Sequence, residues 1–313
     1  MEKHSPVAPS GKAPLEPARA RAGKTGAWQQ ASPHDPITSR ENKWLKAFRA
    51  ALRGSGPDAG EPIGVEGPKL VEEAVRAGLE AEALLVSESG ERDLERILLA
   101  ASESDPGIPR SRILRTSDKL FASVAGTEAP QGVAALFRQP EWTFEDVLRG
   151  AASRDGALAG EVPLVVVLAG VQDPGNVGTI LRSAEAFGST GAIASRGTAD
   201  PWSPKSVRAS AGSALRLPVL RGIALPILLA QLRVARVRVY SASSKTQKQR
   251  GVADLREASA IFIGSEGHGL PSEVVNASDA QISVPMSEAV ESLNAAVAAS
   301  IVLYEAARQR KSS

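Results

Sequence analysis

Three separated stretches of this chain carry side chains able to do chemistry. The first, Asp173-Pro174-Gly175-Asn176-Val177-Gly178-Thr179-Ile180-Leu181-Arg182, leaves an apolar run at Val165–Leu168. Pro174 and Gly175 shape a turn. Asn176 takes the place of a helix N-cap, where its side-chain oxygen can accept from free N–H groups. Arg182 follows close to two helical turns later, and a guanidinium fixed there can bind a phosphate or polarise a hydroxyl. Taken alone, the stretch reads more readily as a capped helix with a surface arginine.

The second stretch is Ile263-Gly264-Ser265-Glu266-Gly267-His268-Gly269-Leu270-Pro271. Glycines at alternating positions after an apolar run let a backbone approach a ligand closely. Glu266 is the informative residue, because a loop tip needs no carboxylate. His268 is a general base by type, but a plain surface role suits it better. No Gly-Lys-Ser/Thr follows, so this is not a P-loop, and the spacing is not that of a dinucleotide fingerprint. The third stretch joins Val284-Pro285-Met286 to Glu291-Ser292-Leu293-Asn294. Pro285 ends a strand, and Ser292 or Asn294 caps the terminal helix. Their polar side chains suit a ribose, whereas Met286 and Leu293 suit an adenine ring. Polar groups recurring at strand ends are costly to bury unless they bind something, which suggests one site assembled from distant loops.

The elements that must position these stretches alternate between helix and strand. Residues 1–36 are Pro-rich and basic with little apolar periodicity, and read as a disordered arm. A helix from Ile37 places Trp44, Leu45, Phe48 and Leu52 on one face. Strands at Glu61–Glu66, Ala83–Val86, Arg112–Leu114 and Val133–Phe137, with helices at Lys69–Ala77, Leu94–Ala101 and Asp118–Val124, form a small α/β unit over 37–140. Residues 141–160 read as a linker. Over 161–313, strands are expected at Leu164–Leu168, Ala192–Ala194, Val234–Tyr240, Ile261–Ile263 and Gln281–Val284. Helices are expected at Asn176–Phe187 and from Leu293 to Arg308, the last with Val297, Ile301 and Tyr304 on a shared face.

Composition narrows the function classes. Among 313 residues there is no cysteine, and the three histidines are scattered, so disulfides and a metal site are not expected. There is no run of 18 or more apolar residues and no short apolar core of a secretory signal. A cytoplasmic protein without a membrane segment is expected. The net charge is only +2, with basic residues concentrated in the arm and around Arg233, Arg236, Arg238, Lys245, Lys248 and Arg250. Polyanion binding would be regional and salt-sensitive.

In their order and spacing, N-x5-R, G-x-E-G-x-G, and P-M followed by S-L-N, the three stretches resemble the SpoU/TrmH class of the SPOUT superfamily. Asp200–Pro218 is similar to the segment that lies between the first two motifs in that class. Val65–Val71 and Gln131–Ala134 resemble the L30e-like substrate-binding domain found in many members. The resemblance implies an α/β fold: a SPOUT domain, Rossmann-like with a trefoil knot, preceded by a small L30e-like domain. It further implies S-adenosylmethionine held around Gly264, Val284, Met286 and Leu293, and methyl transfer to a ribose 2'-hydroxyl of RNA. Arg182, Asn176, Glu266, Ser292 and Asn294 would serve the reaction. A homodimer is implied, with Arg182 of one subunit near the partner's cofactor. Glu288, and Ala295-Ala296 after Asn294, depart from the class pattern and bear on the loop shape. Ribosomal RNA is favoured over transfer RNA because an L30e-like domain suits structured RNA loops. The alternatives are a transfer-RNA 2'-O-methyltransferase and a catalytically silent RNA-binding protein of the same fold.

Overall fold

The computed structural model describes residues 35–103, 108, 112–150, 162–243, 253–287 and 289–311. The expected N-terminal arm up to residue 34, and the basic residues Lys245, Lys248 and Arg250, lie outside them.

The first half is built on a four-stranded sheet. Its elements are α1 (Lys43–Arg53), β1 (Ile63–Glu66), α2 (Pro68–Arg76), β2 (Ala81–Ser87), α3 (Glu91–Ser102), β3 (Ile113–Thr116), α4 (Asp118–Ala122) and β4 (Val133–Phe137). The strand order is β1-β4-β2-β3, with β4 antiparallel to both neighbours and β2 parallel to β3. Helix α1 starts where the Asn42 side chain accepts from Trp44 N at 2.8 Å, an N-cap that satisfies a free helix donor. Its buried stripe of Leu45, Phe48 and Leu52 covers one sheet face, over Ala83, Leu85, Ala134 and Leu136. The alternate residues Leu84, Val86, Val133 and Ala135 point the other way, into the cluster formed by Val71 and Val75 of α2 and Leu94 and Ile97 of α3.

In the chain the two sheets are separated by α5 (Phe144–Arg149), which opens with a capping box between Thr143 and Asp146. The second half comprises β5 (Leu164–Ala169), α6 (Pro174–Ala186), β6 (Gly191–Ser195), α7 (Pro204–Ala209), α8 (Ser213–Arg216), β7 (Val219–Ile223), α9 (Leu225–Val234), β8 (Arg238–Ala242), β9 (Ser259–Gly264), α10 (Ser272–Ala277), β10 (Ala280–Ile282) and α11 (Ala295–Lys311). Six strands form a wholly parallel sheet in the order β10-β8-β9-β5-β6-β7. Helices cover both faces, so the central strands read as unbroken apolar runs; Leu164–Ala169 is buried throughout.

Several expectations change in detail. The stretch expected as linker contains α5, whose Val147 packs into the apolar cluster behind the parallel sheet; residues 151–161 lie outside the described residues. Val234 ends helix α9 rather than opening a strand. Arg236 turns the chain at φ 57° before β8 begins at Arg238, whose side chain faces outward as expected. Strand β10 stops at Ile282, two residues short. Val297, Ile301 and Tyr304 do share a face of α11, but it is the exposed one. The buried face consists mainly of the alanines Ala295, Ala296, Ala299 and Ala306, with Val302 and Leu303. Small residues let α11 lie close to its support, and Val297, Ile301 and Tyr304 are left outside.

Two arginines tie the halves together. Arg216 makes a two-pronged contact with Glu185 of α6 at 2.7 Å and reaches Glu73 of α2 at 2.8 Å. Arg221 donates to Pro57 O and Gln139 Oε1, each at 2.7 Å, pairs with Asp200, and lies over the Trp202 ring. Planar bidentate pairing is what a guanidinium does better than an ammonium. Replacing Arg216 by alanine leaves two half-buried carboxylates facing each other. Urea unfolding should then show a loss of about 1–3 kcal/mol, the usual cost of stranding partners of a charged hydrogen bond.

Candidate active site

The C-terminal ends of β8, β9 and β10 open into a cavity of about 590 Å³. Such strand ends are where open parallel sheets bind ligands. Its walls include Ser241–Ser243, Ile263–Leu270, Gln281 and Ile282, and Ser292, Leu293 and the start of α11 close it. All four residues expected to hold a cofactor, Gly264, Val284, Met286 and Leu293, line this one cavity, and so do Glu266 and Ser292.

The three motif stretches meet through their side chains. The Asn176 amide nitrogen donates to the Glu266 carboxylate. Asn294 Nδ2 donates to Asn176 Oδ1 at 3.1 Å. The remaining amide oxygen, Asn294 Oδ1, accepts from Ala296 N at 2.9 Å and Val297 N at 3.3 Å. The asparagine anticipated as a possible cap therefore does cap α11, and the same side chain orients Asn176. The relay runs in one direction, because its terminal backbone donors require Asn294 to offer its oxygen to the helix and its NH2 group to Asn176.

Asn176 itself is not the cap of α6. Asp173 takes that place, accepting from Gly175 N at 3.2 Å, with Pro174 as the first helical residue. Proline is well suited there because its missing N–H is not needed. The Asp173 carboxyl sits below the usual carboxylate range, held chiefly by the hydrogen bond from Lys205 and then by Gly175 N. Asn176 thus lies within the first helical turn, half-buried and facing Glu266.

The glycine loop has its own logic. A Cβ on Gly264 would collide with the backbone of Gly269 and Leu270, because the loop folds back on itself with Gly269 N donating to Ser265 O at 2.9 Å. Gly269 needs glycine for its φ of 66°. Space is open beside Gly267 only in the sense that nothing lies within 4 Å of a Cβ there. Two of the three glycines therefore serve the loop's shape rather than ligand approach. His268 is exposed, and its N–H donates to Ser265 Oγ at 3.3 Å.

Comparison with known proteins decides the family. Residues 163–304 match the SpoU rRNA Methylase family, and residues 61–135 match the MRM3-like substrate binding domain. The chain is 32% identical over 240 residues to the 23S rRNA (guanosine(2553)-2'-O)-methyltransferase RlmP of Bacillus subtilis, covering 77% of this chain and 86% of that one. This chain belongs to the SpoU rRNA methylase family. Among solved structures, the AdoMet-bound rRNA methyltransferase from Sinorhizobium meliloti is similar at TM-score 0.70 and 28% identity, over 88% of this chain and 97% of the other. The SpoU methyltransferase AviRb from Streptomyces viridochromogenes, in complex with AdoMet, is similar at TM-score 0.71 and 26% identity, over 87% of this chain and all of the other. The fold is that of the SPOUT class, with a separate substrate-binding domain before it.

Within one SpoU chain, Arg182 stands apart from the assembled stretches. It is exposed on α6, does not line the cavity, and has no hydrogen-bond or ion-pair partner among the described residues. Its neighbours on that face of α6 are Thr179 and Ala186, also exposed. Helix α11 lies alongside, joined through Ser183 Oγ to Ser300 Oγ at 2.7 Å and through an edge contact of Phe187 with Tyr304. Arg182 is thus beside the exposed Val297–Ile301–Tyr304 stripe. The basic cluster at Arg233, Arg236 and Arg238 lies at the opposite, N-terminal end of β8, away from the cavity.

The cavity suits the nucleoside cofactor of SpoU enzymes. Its apolar walls at Ile282, Val284, Met286 and Leu293 can take a ring, while loop backbone and the Ser292 hydroxyl offer polar contacts. One further group is suited to contact a ligand: the buried hydroxyl of Ser241, on the cavity wall, has no hydrogen-bond partner among the described residues. No signal in the sequence separates this serine, at the end of an ordinary strand, from any other. Gln281, Leu270 and Val275, also on the wall, were equally silent in sequence. Among the described residues no group of acidic or histidine side chains could hold a metal ion.

Proposed function

We propose that this protein methylates a ribose 2'-hydroxyl of ribosomal RNA, with S-adenosylmethionine as methyl donor. It is an RNA 2'-O-methyltransferase. The observation that carries this reading is the Asn294–Asn176–Glu266 relay at the mouth of a cavity lined by Gly264, Val284, Met286 and Leu293. The rRNA methyltransferase relatives and the match to a substrate-binding domain support the choice of ribosomal RNA.

When bound, the cofactor supplies an electrophilic methyl group on a sulfonium, which the ribose oxygen takes up. The protein's task is to orient that hydroxyl and provide for its proton. Glu266 and Asn176 are fixed in position by each other and by Asn294, so they meet a ribose without prior rearrangement. Ser292 completes the polar rim. A guanidinium offers donors and no acceptor, so Arg182 is not the group that takes the proton. Its role is to hold the hydroxyl and a neighbouring phosphate in register.

The isolated chain leaves Arg182 away from the cavity, and a symmetric pair offers a remedy. The exposed stripe of Val297, Ile301 and Tyr304 on α11 is apolar, continuous along the helix and next to Arg182. Pairing of two copies through this stripe would cover it and carry Arg182 of one subunit toward the site of the other. Residues 161–313 would form the methyltransferase unit and 37–140 the RNA-binding unit, with 141–160 joining them. A surface cleft carries Arg196 together with Lys205 and Arg221, the last two paired with Asp173 and Asp200, and an adjoining one carries Arg53 and Arg208; the members of this group without an ion pair among the described residues favour a polyanion there. Among the described residues no helix is long and apolar enough to cross a membrane, and a cytoplasmic site of action fits a ribosomal substrate.

The test is methyl transfer from labelled S-adenosylmethionine to unmodified ribosomal and transfer RNA pools, followed by mapping of 2'-O-methylated positions. Label in ribosomal RNA is the outcome this reading requires. Label confined to transfer RNA would move the substrate class, and cofactor binding without transfer to either pool would leave a silent RNA-binding protein.

A further inference from the structure

Three buried side-chain polar atoms lack a hydrogen-bond partner among the described residues: Trp142 Nε1, Ser189 Oγ and Ser241 Oγ. Only Ser241 lines the cavity. It is 1% exposed, near the end of β8, in direct register with Gln281 of β10 on one side and Phe262 of β9 on the other. Side chains in direct register on neighbouring strands lie on the same face of the sheet, so the hydroxyl and the Gln281 amide are neighbours. Leu270 and Val275 line the same cavity, and the one carboxylate on its wall, Glu266, is carried by the glycine loop and not by β8 or β10.

A buried hydroxyl without a partner costs stability. Such a group persists where something outside the chain satisfies it. The chemistry of this end is neutral: Ser241 can donate or accept, and Gln281 can do both. That matches a heterocyclic base edge, which presents donors and acceptors without net charge. It does not match the charged amino-acid tail of the cofactor, which would be left uncompensated against apolar walls. We propose that Ser241, with Gln281, binds the base edge of the cofactor's nucleoside and sets its preference for adenine. Engaging the base needs only rotation about the serine Cα–Cβ bond between staggered positions. This inference rests on the cofactor reading above.

The test uses the full-length protein and isothermal titration with S-adenosylhomocysteine, which keeps the adenosine but cannot transfer methyl, beside S-inosylhomocysteine, whose base edge offers an acceptor where adenine offers a donor. Ser241→Ala is expected to weaken S-adenosylhomocysteine binding by about two- to twelvefold, the worth of one neutral hydrogen bond. The preference for adenosine over inosine should shrink along with it. In the absence of ligand the same variant should melt no lower than wild type, because it removes an unsatisfied group. Gln281→Ala should reduce the preference in the same direction. Unchanged affinity and preference in both variants would overturn the inference while leaving the cofactor reading intact. Weaker binding accompanied by a lower ligand-free melting temperature would assign Ser241 to packing and overturn it too. Failure of wild type to bind S-adenosylhomocysteine would remove the cofactor reading and this inference together.

Discussion

Arg182→Ala should lose roughly two to three orders of magnitude in methyl transfer, the scale seen when one oriented donor is removed from a charge-developing site. Its affinity for S-adenosylmethionine should stay within about twofold of wild type, since the loss falls on the reaction and not on ground-state binding. Folding should not be at issue. Arg182 is exposed, and no hydrogen bond or ion pair to it is found among the described residues, so its truncation should move stability by no more than about 0.5 kcal/mol. Arg182→Lys should recover little, because an ammonium lacks the planar fork that grips a phosphate and a hydroxyl together. Single-turnover transfer to ribosomal RNA, paired with calorimetric binding, separates these outcomes. Normal transfer by the alanine variant would remove Arg182 from the mechanism.

Breaking the α11 face should be nearly as damaging. Val297, Ile301 and Tyr304 are 48%, 42% and 55% exposed in the single chain, an apolar stripe that a second copy would cover. Ile301→Asp places a charge at its centre. Light scattering should then report a monomer, and transfer should fall by about 100-fold or more if each site needs an arginine from across the pair. Mixing separates this from simple misfolding. Arg182→Ala supplies an intact cavity without the arginine, and Met286→Arg supplies the arginine with a blocked cavity. Random re-pairing of these two inactive proteins should restore about a quarter of wild-type activity, because half the pairs are mixed and each has one complete site of two. A fully active Ile301→Asp monomer, or mixtures that stay inactive, would place Arg182 and the cavity in the same subunit.

The parts of the fold with one dominant physical cause were legible from residues alone. Leu164–Leu168 and Ile261–Ile263 read as buried parallel strands because nothing polar interrupts them. Val133–Phe137 was placed to the residue. What escaped had competing causes. Helix α9 has Pro226 in its first turn and is apolar nearly all round, so its 3.6-residue periodicity is faint, and the strand that follows absorbed its last residue. Strand β7 carries Arg221 and Gly222, which break any apolar run, and the arginine bridges to Pro57 and Gln139. That Val297, Ile301 and Tyr304 share a face of α11 was legible, but not that this face is the exposed one, because alanines make up most of the buried side.

Which residues meet at the cavity was legible in part, with Arg182 left outside it, and how they are wired was not. Glu266, Asn294 and the apolar cavity residues were identifiable from type and spacing, and the resemblance tied them together. That Asp173 and not Asn176 caps α6 depends on which of two adjacent capping side chains reaches a free N–H, and spacing leaves both open. That Gly264 answers to Gly269 rather than to a ligand, and that Ser241 is an orphan, are matters of three-dimensional neighbours with no trace in a one-dimensional pattern.

The double engagement of Asn294 changes what its presence says about relatives of this protein. Because it also secures the first turn of α11, purifying selection on folding alone would preserve it, as it would Gly264 and Asp173. A homologue that had abandoned catalysis could keep all three indefinitely. Arg182 shows no such second employment among the described residues; given the role proposed for it, it is the position where a lapsed enzyme would drift first, and the residue to inspect when sorting working descendants from retired ones.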